Sequence, residues 1–169
     1  MIVILMGVTG CGKTTVGALL AEDCGWAFHD ADDFHPPENV AKMKSGAPLD
    51  DEDRWPWLER LNALLLDSER QGKSLVLACS ALKRAYRARL RAAAPGLRFV
   101  FMEIDPDSAR ARIESRRDAH FFSPSLVGSQ FAALESPVGE PGVLRVDALA
   151  PLQRLQSEVI DWLHAGGRA

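Results

Sequence analysis

The stretch that decides the fold is "GVTGCGKT", Gly7 to Thr14, which follows the apolar run "IVILM" at 2–6 and opens a helical pattern at 13–24. It matches the spacing G-x-x-x-x-G-K-[ST] in full, in the strand–loop–helix context that this pattern requires. The glycines let successive backbone N–H groups turn toward one phosphate, and the N-terminus of the following helix adds a favourable dipole. The stretch therefore predicts a nucleoside triphosphate site.

The loop residues have separate predicted tasks. Lys13 is expected to reach the β- and γ-phosphates and to act in catalysis, while the Thr14 hydroxyl holds Mg²⁺, so ATP and Mg²⁺ are the predicted cofactors. A glycine-rich turn with a surface lysine is the weaker alternative, because both the strand and the helix are present. Cys11 is expected to fill space rather than act as a nucleophile. The predicted nucleotide-binding residues are Gly7, Val8, Thr9, Gly10, Cys11, Gly12, Lys13, Thr14 and Thr15.

Composition limits the classes of protein that fit. A chain of 169 residues, 47% hydrophobic and 25% charged with a net charge of −3, predicts one soluble globular domain over residues 1–169 and no nucleic-acid partner. The short first apolar run opposes a membrane span or a signal peptide. Three cysteines without a C-x-x-C pair favour a reducing cytoplasm. The absence of an N-K-x-D motif opposes a switch GTPase, and the length leaves no room for a motor or transporter ATPase.

The alternation of apolar runs and helical patterns predicts an α/β fold. Several runs are apolar on both faces, which is typical of strands buried in a parallel sheet between helices. We therefore expect a P-loop NTPase three-layer sandwich with a five-stranded parallel sheet. The predicted strands are 2–6, 26–30, 74–79, 98–104 and 143–147, and the predicted helices are 13–24, 55–71, 83–94, 106–117 and 151–164, with a loop at 137–142.

A second stretch, "DADDFHPP" at 30–37, places three carboxylates at the end of the second predicted strand. Ligands of open α/β sheets bind beyond the carboxyl ends of the strands, so these acids should meet the phosphate loop at one edge. We expect Asp30 to lie near Mg²⁺ and Asp32 to accept the proton of an acceptor hydroxyl, which is a catalytic and substrate-binding role. Asp33 better fits a cap or a solvated loop.

The next residues carry a family resemblance. "HPPENVAKMKSGAPLDDEDRWPWL", residues 35–58, closely resembles the bacterial gluconokinases of the P-loop type, which are related to shikimate and nucleoside monophosphate kinases. "CSALKRAYR" at 79–87 and "HFFSPSLVGSQFAALE" at 120–135 look like that family's third-strand motif and its lid. One residue more than expected precedes His120, which leaves Arg116 and Arg117 as alternatives for one lid position.

The resemblance implies ATP-dependent phosphorylation of D-gluconate to 6-phospho-D-gluconate, in gluconate catabolism and the pentose phosphate or Entner–Doudoroff route. It implies a nucleoside monophosphate kinase-like fold with an acceptor segment at about 30–60, a mobile lid at about 116–136 and a possible homodimer. Arg112 and Arg116 would bind the nucleotide, and Arg116 would also act in catalysis. The implied substrate-binding residues are Asp32, His35, Lys42, Arg54, Ser80, Lys83, His120 and Gln130.

Chemistry supports part of this assignment and leaves alternatives open. The Arg54 guanidinium is a fork suited to a carboxylate, but Lys42 and Lys83 taken alone fit a solvated helix face equally well, and His35 fits a loop cap. The same scaffold serves shikimate and nucleotide kinases, and a nucleotide-binding sensor is the non-enzymatic alternative. Three arginines at helical spacing, Arg84, Arg87 and Arg91, predict a solvent-facing helix side rather than a nucleic-acid stripe.

Overall fold

The computed structural model describes residues 1–115 and 126–166. Within these residues the sheet has five strands: β1 Ile2–Met6, β2 Ala27–Asp30, β3 Leu75–Ala78, β4 Arg98–Glu103 and β5 Val143–Asp147. The helices are α1 Lys13–Cys24, α2 Pro37–Lys44, α3 Asp51–Arg70, α4 Arg84–Ala93, α5 Pro106–Glu114, α6 Leu126–Ala133 and α7 Leu152–His164, with a 3₁₀ helix at Ala31–Phe34. No helix in these two ranges is long and apolar enough to cross a membrane.

The sheet is parallel throughout, with the strand order β2-β3-β1-β4-β5. β1 is buried along its whole length, and its side chains alternate between two hydrophobic cores, as the period of two in a strand requires. Val3 and Leu5 pack in one core with α1, α5, α6 and α7, while Ile4 and Met6 pack in the other with α3 and α4. The predicted three-layer sandwich is therefore confirmed.

The strand register determines where the polar residues meet. Ala78, the last residue of β3, lies opposite Leu5 on one side and opposite Asp30 on the other. The three strands therefore end side by side, and the chain leaves each of them at the same edge of the sheet. This brings the loop after β1, the acids after β2 and Ser80 after β3 into one place, as the sequence predicts.

The segment after β2 differs from the predicted loop and late helix start. Residues 31–34 form the 3₁₀ helix, 37–44 form α2, and α3 begins at Asp51 rather than at residue 55. Asp50 accepts a hydrogen bond from the Asp53 N–H, and the Asp53 carboxylate accepts one from the Asp50 N–H, so a capping box starts the helix early and Pro56 lies inside it. Asp30, not Asp33, caps the 3₁₀ helix, by accepting the Asp32 N–H.

The prediction of a solvent-facing arginine stripe on α4 is wrong for Arg87. Its side chain is 0% exposed, because its guanidinium donates to the Glu140 carboxylate and to the carbonyls of Ala81 and Leu82. Arg91 adds a second ion pair to Glu140, while Arg84 is largely exposed. A buried carboxylate needs such partners, since an unpaired charge is costly away from water. The partner comes from the loop at 137–142, which helical spacing alone does not reveal.

Glu140 should make the stability of the fold depend on pH. Burial favours the neutral acid, but hydrogen bonds from Arg87 and Arg91 outweigh that effect and lower its pKa from 4.5 to about 2. A lowered folded-state pKa stabilises the native state above pH 4.5, and this contribution is lost as pH falls toward 2. Glu140→Gln should therefore cost about 3 kcal/mol at about pH 7 and about 1.4 kcal/mol at about pH 3, measured by urea unfolding.

Exposed Glu69 on α3 provides the matched control. Glu69→Gln should leave the free energy of unfolding within about 0.5 kcal/mol of the wild type at both pH values. An equal cost of Glu140→Gln at neutral and acid pH would show that Glu140 acts through packing rather than through its charge.

Candidate active site

The phosphate loop has a backbone that only glycine adopts without strain at its centre. Gly10 has φ +84°, and a Cβ added there would lie 2.8 Å from the carbonyl oxygen of Ala109 on α5. The loop therefore packs directly on α5, with no room for a side chain between them. Lys13 begins α1, and its Nζ donates to the Val8 carbonyl across the loop at 3.0 Å. The lysine charge is thus held at the place where the triphosphate is expected.

Thr14 and Asp30 form a pair that fits Mg²⁺. The Thr14 hydroxyl donates to Asp30 Oδ2 at 2.8 Å, and Asp30 Oδ1 accepts the Asp32 N–H at 3.1 Å. Within the described residues no group of three or more His, Cys, Asp or Glu could hold a metal ion. Mg²⁺ needs no such group, because it takes one or two protein oxygens and completes its shell with phosphate oxygens and water. The donor set is therefore compatible with a phosphate-bound Mg²⁺.

Asp32 lies in the cleft between the phosphate loop and α3. It lines this cleft together with Lys13, Asp30 and Arg54. Although 46% of its side chain is accessible from the cleft, burial raises its pKa to about 6, with a further contribution from the neighbouring Asp30 carboxylate. A carboxylate with a raised pKa is a better proton acceptor than a solvated one, so the geometry suits the predicted role of Asp32.

His35 is buried against α3 rather than exposed as a loop cap. Its ring stacks on Trp57, with 4.5 Å between centroids and 9° between planes, and Trp57 Nε1 donates to the Ala31 carbonyl at 2.7 Å. Burial, followed by the nearby charges of Arg54 and Arg60, lowers the pKa of His35 to about 4. The ring is therefore neutral at physiological pH, and its edge lines the cleft.

Arg54 is the cation of α3 that faces the cleft. Among the residues that the structure describes, its guanidinium makes no hydrogen bond or ion pair, and it lies 5.8 Å from the centroid of the Tyr86 ring. Its donors are therefore available to an anion in the cleft. In this respect Arg54 differs from Lys42 and Lys83, the two lysines predicted to bind the same substrate, which are paired with acids.

Lys42 and Lys83 do not line the cleft, because acids at the start of α3 hold them. Lys42 Nζ lies 2.5 Å from Asp53 Oδ2, and Lys83 Nζ lies 2.7 Å from Asp51 Oδ1. Tyr86 also donates to Asp51. A contact of either lysine with the acceptor remains a prediction. Arg116 and His120 belong to the part of the predicted lid, residues 116–125, that lies outside the described residues, whereas residues 126–133 of that segment form α6.

Three further predicted residues line the cleft. The Ser80 carbonyl accepts the Gly7 N–H at 3.3 Å, and Arg112 donates to the carbonyls of Cys11 and Ala148 at 3.2 and 2.9 Å. Gln130 lies beside the phosphate loop, where its Oε1 accepts the Thr9 N–H at 2.6 Å, and its predicted contact with the acceptor remains a prediction. Four further lining residues, Met43, Ala78, Cys79 and Ile113, have no predicted role. Met43 stands in the family pattern and Cys79 opens the third-strand motif, while Ala78 and Ile113 carry no sequence signal beyond hydrophobicity.

Gly10 gives a direct test of the loop. Gly10→Ala should weaken binding of a non-hydrolysable ATP analogue at least about tenfold, about 1.4 kcal/mol, because the new Cβ meets the Ala109 carbonyl and the backbone has φ +84°. Isothermal titration calorimetry measures this affinity. Gly128→Ala on α6 is the control, because a Cβ there meets no atom within 4 Å, and it should bind normally. Normal binding by Gly10→Ala would contradict the assignment of this loop as the phosphate site.

Fold and cleft together define a P-loop kinase, with a phosphate loop after the central strand β1 and acids after β2, which β3 separates from β1. A family model described as "AAA domain" matches residues 2–137. The chain is 39% identical to the thermoresistant gluconokinase of Escherichia coli (strain K12) over 166 residues, which cover 98% of this chain and 94% of that protein.

Solved structures agree with these matches. The crystal structure of a gluconokinase from Sinorhizobium meliloti 1021 has a TM-score of 0.88 at 41% identity, covering 98% of this chain and 92% of that one. The shikimate kinase of Aquifex aeolicus vf5 has a TM-score of 0.65 at 17% identity, covering 98% of both chains, which shows a shared fold alone. The chain belongs to the gluconokinase family.

Proposed function

We propose that this kinase transfers the γ-phosphoryl group of ATP to the 6-hydroxyl of D-gluconate. The observation that carries the proposal is the Arg54 guanidinium, which has no hydrogen-bond or ion-pair partner among the described residues and shares one cleft with Asp32 and the phosphate loop. Gluconate has a carboxylate at one end and the reacting hydroxyl at the other. Arg54 provides a fork for the carboxylate, and Asp32 provides a base for the hydroxyl.

Phosphoryl transfer forms one oxygen–phosphorus bond, breaks another and moves one proton. The gluconate hydroxyl oxygen forms a bond to the γ-phosphorus while the bond from that phosphorus to the β,γ-bridging oxygen breaks, giving ADP and 6-phospho-D-gluconate. Asp32 takes the hydroxyl proton. Lys13 neutralises charge on the transferring group, and Arg112 holds the phosphate loop against the turn after β5 through its two carbonyl contacts.

Thr14 and Asp30 are the residues that would hold Mg²⁺. When bound, the ion neutralises charge on the β- and γ-phosphates. The Thr14 hydroxyl donates to the Asp30 carboxylate, which joins the start of α1 to the end of β2.

The same proposal includes the domain organisation, the cellular compartment, the metabolic route and the oligomeric state. We take residues 1–169 as one kinase domain, with an acceptor segment at about 30–60 and a lid at about 116–136. The reaction fits the cytoplasm, where ATP is supplied and the free thiols of Cys11, Cys24 and Cys79 stay reduced, and it feeds gluconate catabolism through the pentose phosphate or Entner–Doudoroff route. A homodimer is implied only by resemblance.

A substrate panel tests the function most directly. ADP release with ATP and Mg²⁺ should be strongest with D-gluconate, because only an acceptor with both a carboxylate and a distant primary hydroxyl satisfies Arg54 and Asp32 together. Shikimate and nucleoside monophosphates should give turnover at least about a hundredfold lower in kcat/KM, about 2.7 kcal/mol. Comparable rates with shikimate or with a nucleotide would move the enzyme to one of the alternative kinase classes, and ATP binding without any turnover would support the sensor.

Asp32→Asn should lower kcat by about 10²- to 10⁴-fold with ATP affinity nearly unchanged, because an amide cannot accept the hydroxyl proton. Steady-state kinetics with varied gluconate and varied ATP separate the two effects. Exposed Asp33 follows directly in the chain, so Asp33→Asn is the control and should retain kcat within about twofold. A near-normal kcat for Asp32→Asn would remove Asp32 from the role of base.

Arg54→Ala should raise the gluconate KM by about 10- to 100-fold, since a charge-assisted hydrogen bond contributes about 1.5–3 kcal/mol. Arg54→Lys should fall between alanine and wild type, because a lysine restores the charge but not the fork. Arg70→Ala, at the exposed end of the same helix, controls for general effects on α3. A change confined to the ATP KM would place Arg54 at the nucleotide instead of the acceptor.

A further inference from the structure

Asn39 is a buried polar residue whose side chain contacts His35 in the acceptor part of the cleft. It lies on α2, is 4% exposed, and belongs to the sequence pattern of the acceptor segment without any assigned task. Its amide nitrogen donates to the Asp53 carbonyl at 2.8 Å and lies 3.3 Å from His35 Nδ1. Both contacts involve the same amide nitrogen of Asn39, so together they fix the orientation of this amide.

The contacts determine which nitrogen of His35 carries the proton. A carbonyl oxygen only accepts, so the Asn39 atom beside Asp53 must be the NH₂ group rather than the amide oxygen. The second hydrogen of that group then points to His35 Nδ1, which must accept it. A neutral imidazole with an accepting Nδ1 carries its proton on Nε2. The lowered pKa of His35 supports the neutral ring.

The donor that results faces the catalytic acid. His35 Nε2 lies 3.9 Å from Asp32 Oδ1, and the stack on Trp57 fixes the plane of the ring. An oxygen atom about 2.8 Å from both atoms fits this spacing. Such a hydroxyl would donate its proton to Asp32 and accept from Nε2–H, which leaves one lone pair for attack on phosphorus.

We propose that Asn39 is a positioning residue that holds His35 in the Nε2–H tautomer, so that His35 donates to the acceptor hydroxyl whose proton Asp32 takes. The kinetic part of this inference rests on the proposed function, whereas the tautomer itself does not. Asn39 also links α2 to α3 through Asp53, so a purely structural role is the competing explanation. The two explanations differ in whether the effect of Asn39 requires an imidazole at position 35.

Nitrogen NMR of the full-length wild-type protein tests the tautomer without any substitution. Long-range ¹H–¹⁵N correlation of the histidine rings at neutral pH should give His35 a pyrrole-type signal from Nε2 and a pyridine-type signal from Nδ1. His35→Gln identifies the signals by their loss. A pyridine-type Nε2, or an imidazolium with two pyrrole-type nitrogens, would overturn the proposal whatever the substrate proves to be.

Kinetics of Asn39→Asp in two backgrounds test the consequence. A carboxylate cannot donate to Nδ1 and favours a proton there, so the gluconate KM should rise about tenfold or more while the ATP KM stays within about twofold. Glutamine at position 35 carries an N–H near the place of Nε2 and has no Nδ1 to orient. The same Asn39→Asp change in His35→Gln should therefore raise the gluconate KM by less than about threefold.

An equal fold-change in both backgrounds would show that Asn39 acts only by joining α2 to α3, and would overturn the positioning role. Thermal melting of each variant separates this outcome from loss of fold. If the wild type fails to phosphorylate gluconate, the proposed function fails by itself, while the NMR result still decides the tautomer. The kinetic comparison then uses the acceptor that the substrate panel identifies.

Discussion

The parallel register of β1, β2 and β3 is the constraint on which the site depends. Because Leu5, Asp30 and Ala78 lie side by side across three strands, everything that follows them in the chain begins at one edge of the sheet. The central strand is buried on both faces, so sliding it by one residue would move Val3 and Leu5 from one core into the other. Packing of apolar side chains thus positions the polar ones, and the Thr14–Asp30 hydrogen bond then joins the phosphate loop to the acids.

The fold could be predicted because its signals are local. Strands apolar on both faces, and a glycine pattern between a strand and a helix, follow from the chemistry of neighbouring residues. Asp30 and Asp32 could be placed for the same reason, since the end of a strand fixes their position. The early start of α3 could be missed because Pro56 fits the first turn of a later helix, whereas the capping box of Asp50 and Asp53 outweighs it.

The burial of Arg87 and the pairing of two lysines could not be predicted, because they depend on partners distant in sequence. Arg87 has the spacing of a surface residue, but Glu140, 53 residues further along the chain, makes its burial possible. Lys42 and Lys83 have the charge that an anionic substrate needs, but carboxylates of α3 already pair with both. Arg54 lies on the same helix and lines the cleft, where none of residues 1–115 and 126–166 pairs with its charge. The number of cations predicted to bind the acceptor is therefore larger than the number that face the cleft.

The contact between Gln130 and Thr9 joins α6 to the phosphate loop. A backbone N–H that donates to a neutral amide oxygen gives up that partner readily for a phosphate oxygen, because charge-assisted hydrogen bonds are stronger. Occupancy of the loop and the placement of α6 are then linked thermodynamically, and the linkage acts equally in both directions. A phosphate oxygen that accepts from the Thr9 N–H would take the place of Gln130 Oε1, so the placement of α6 affects how strongly the loop holds a phosphate.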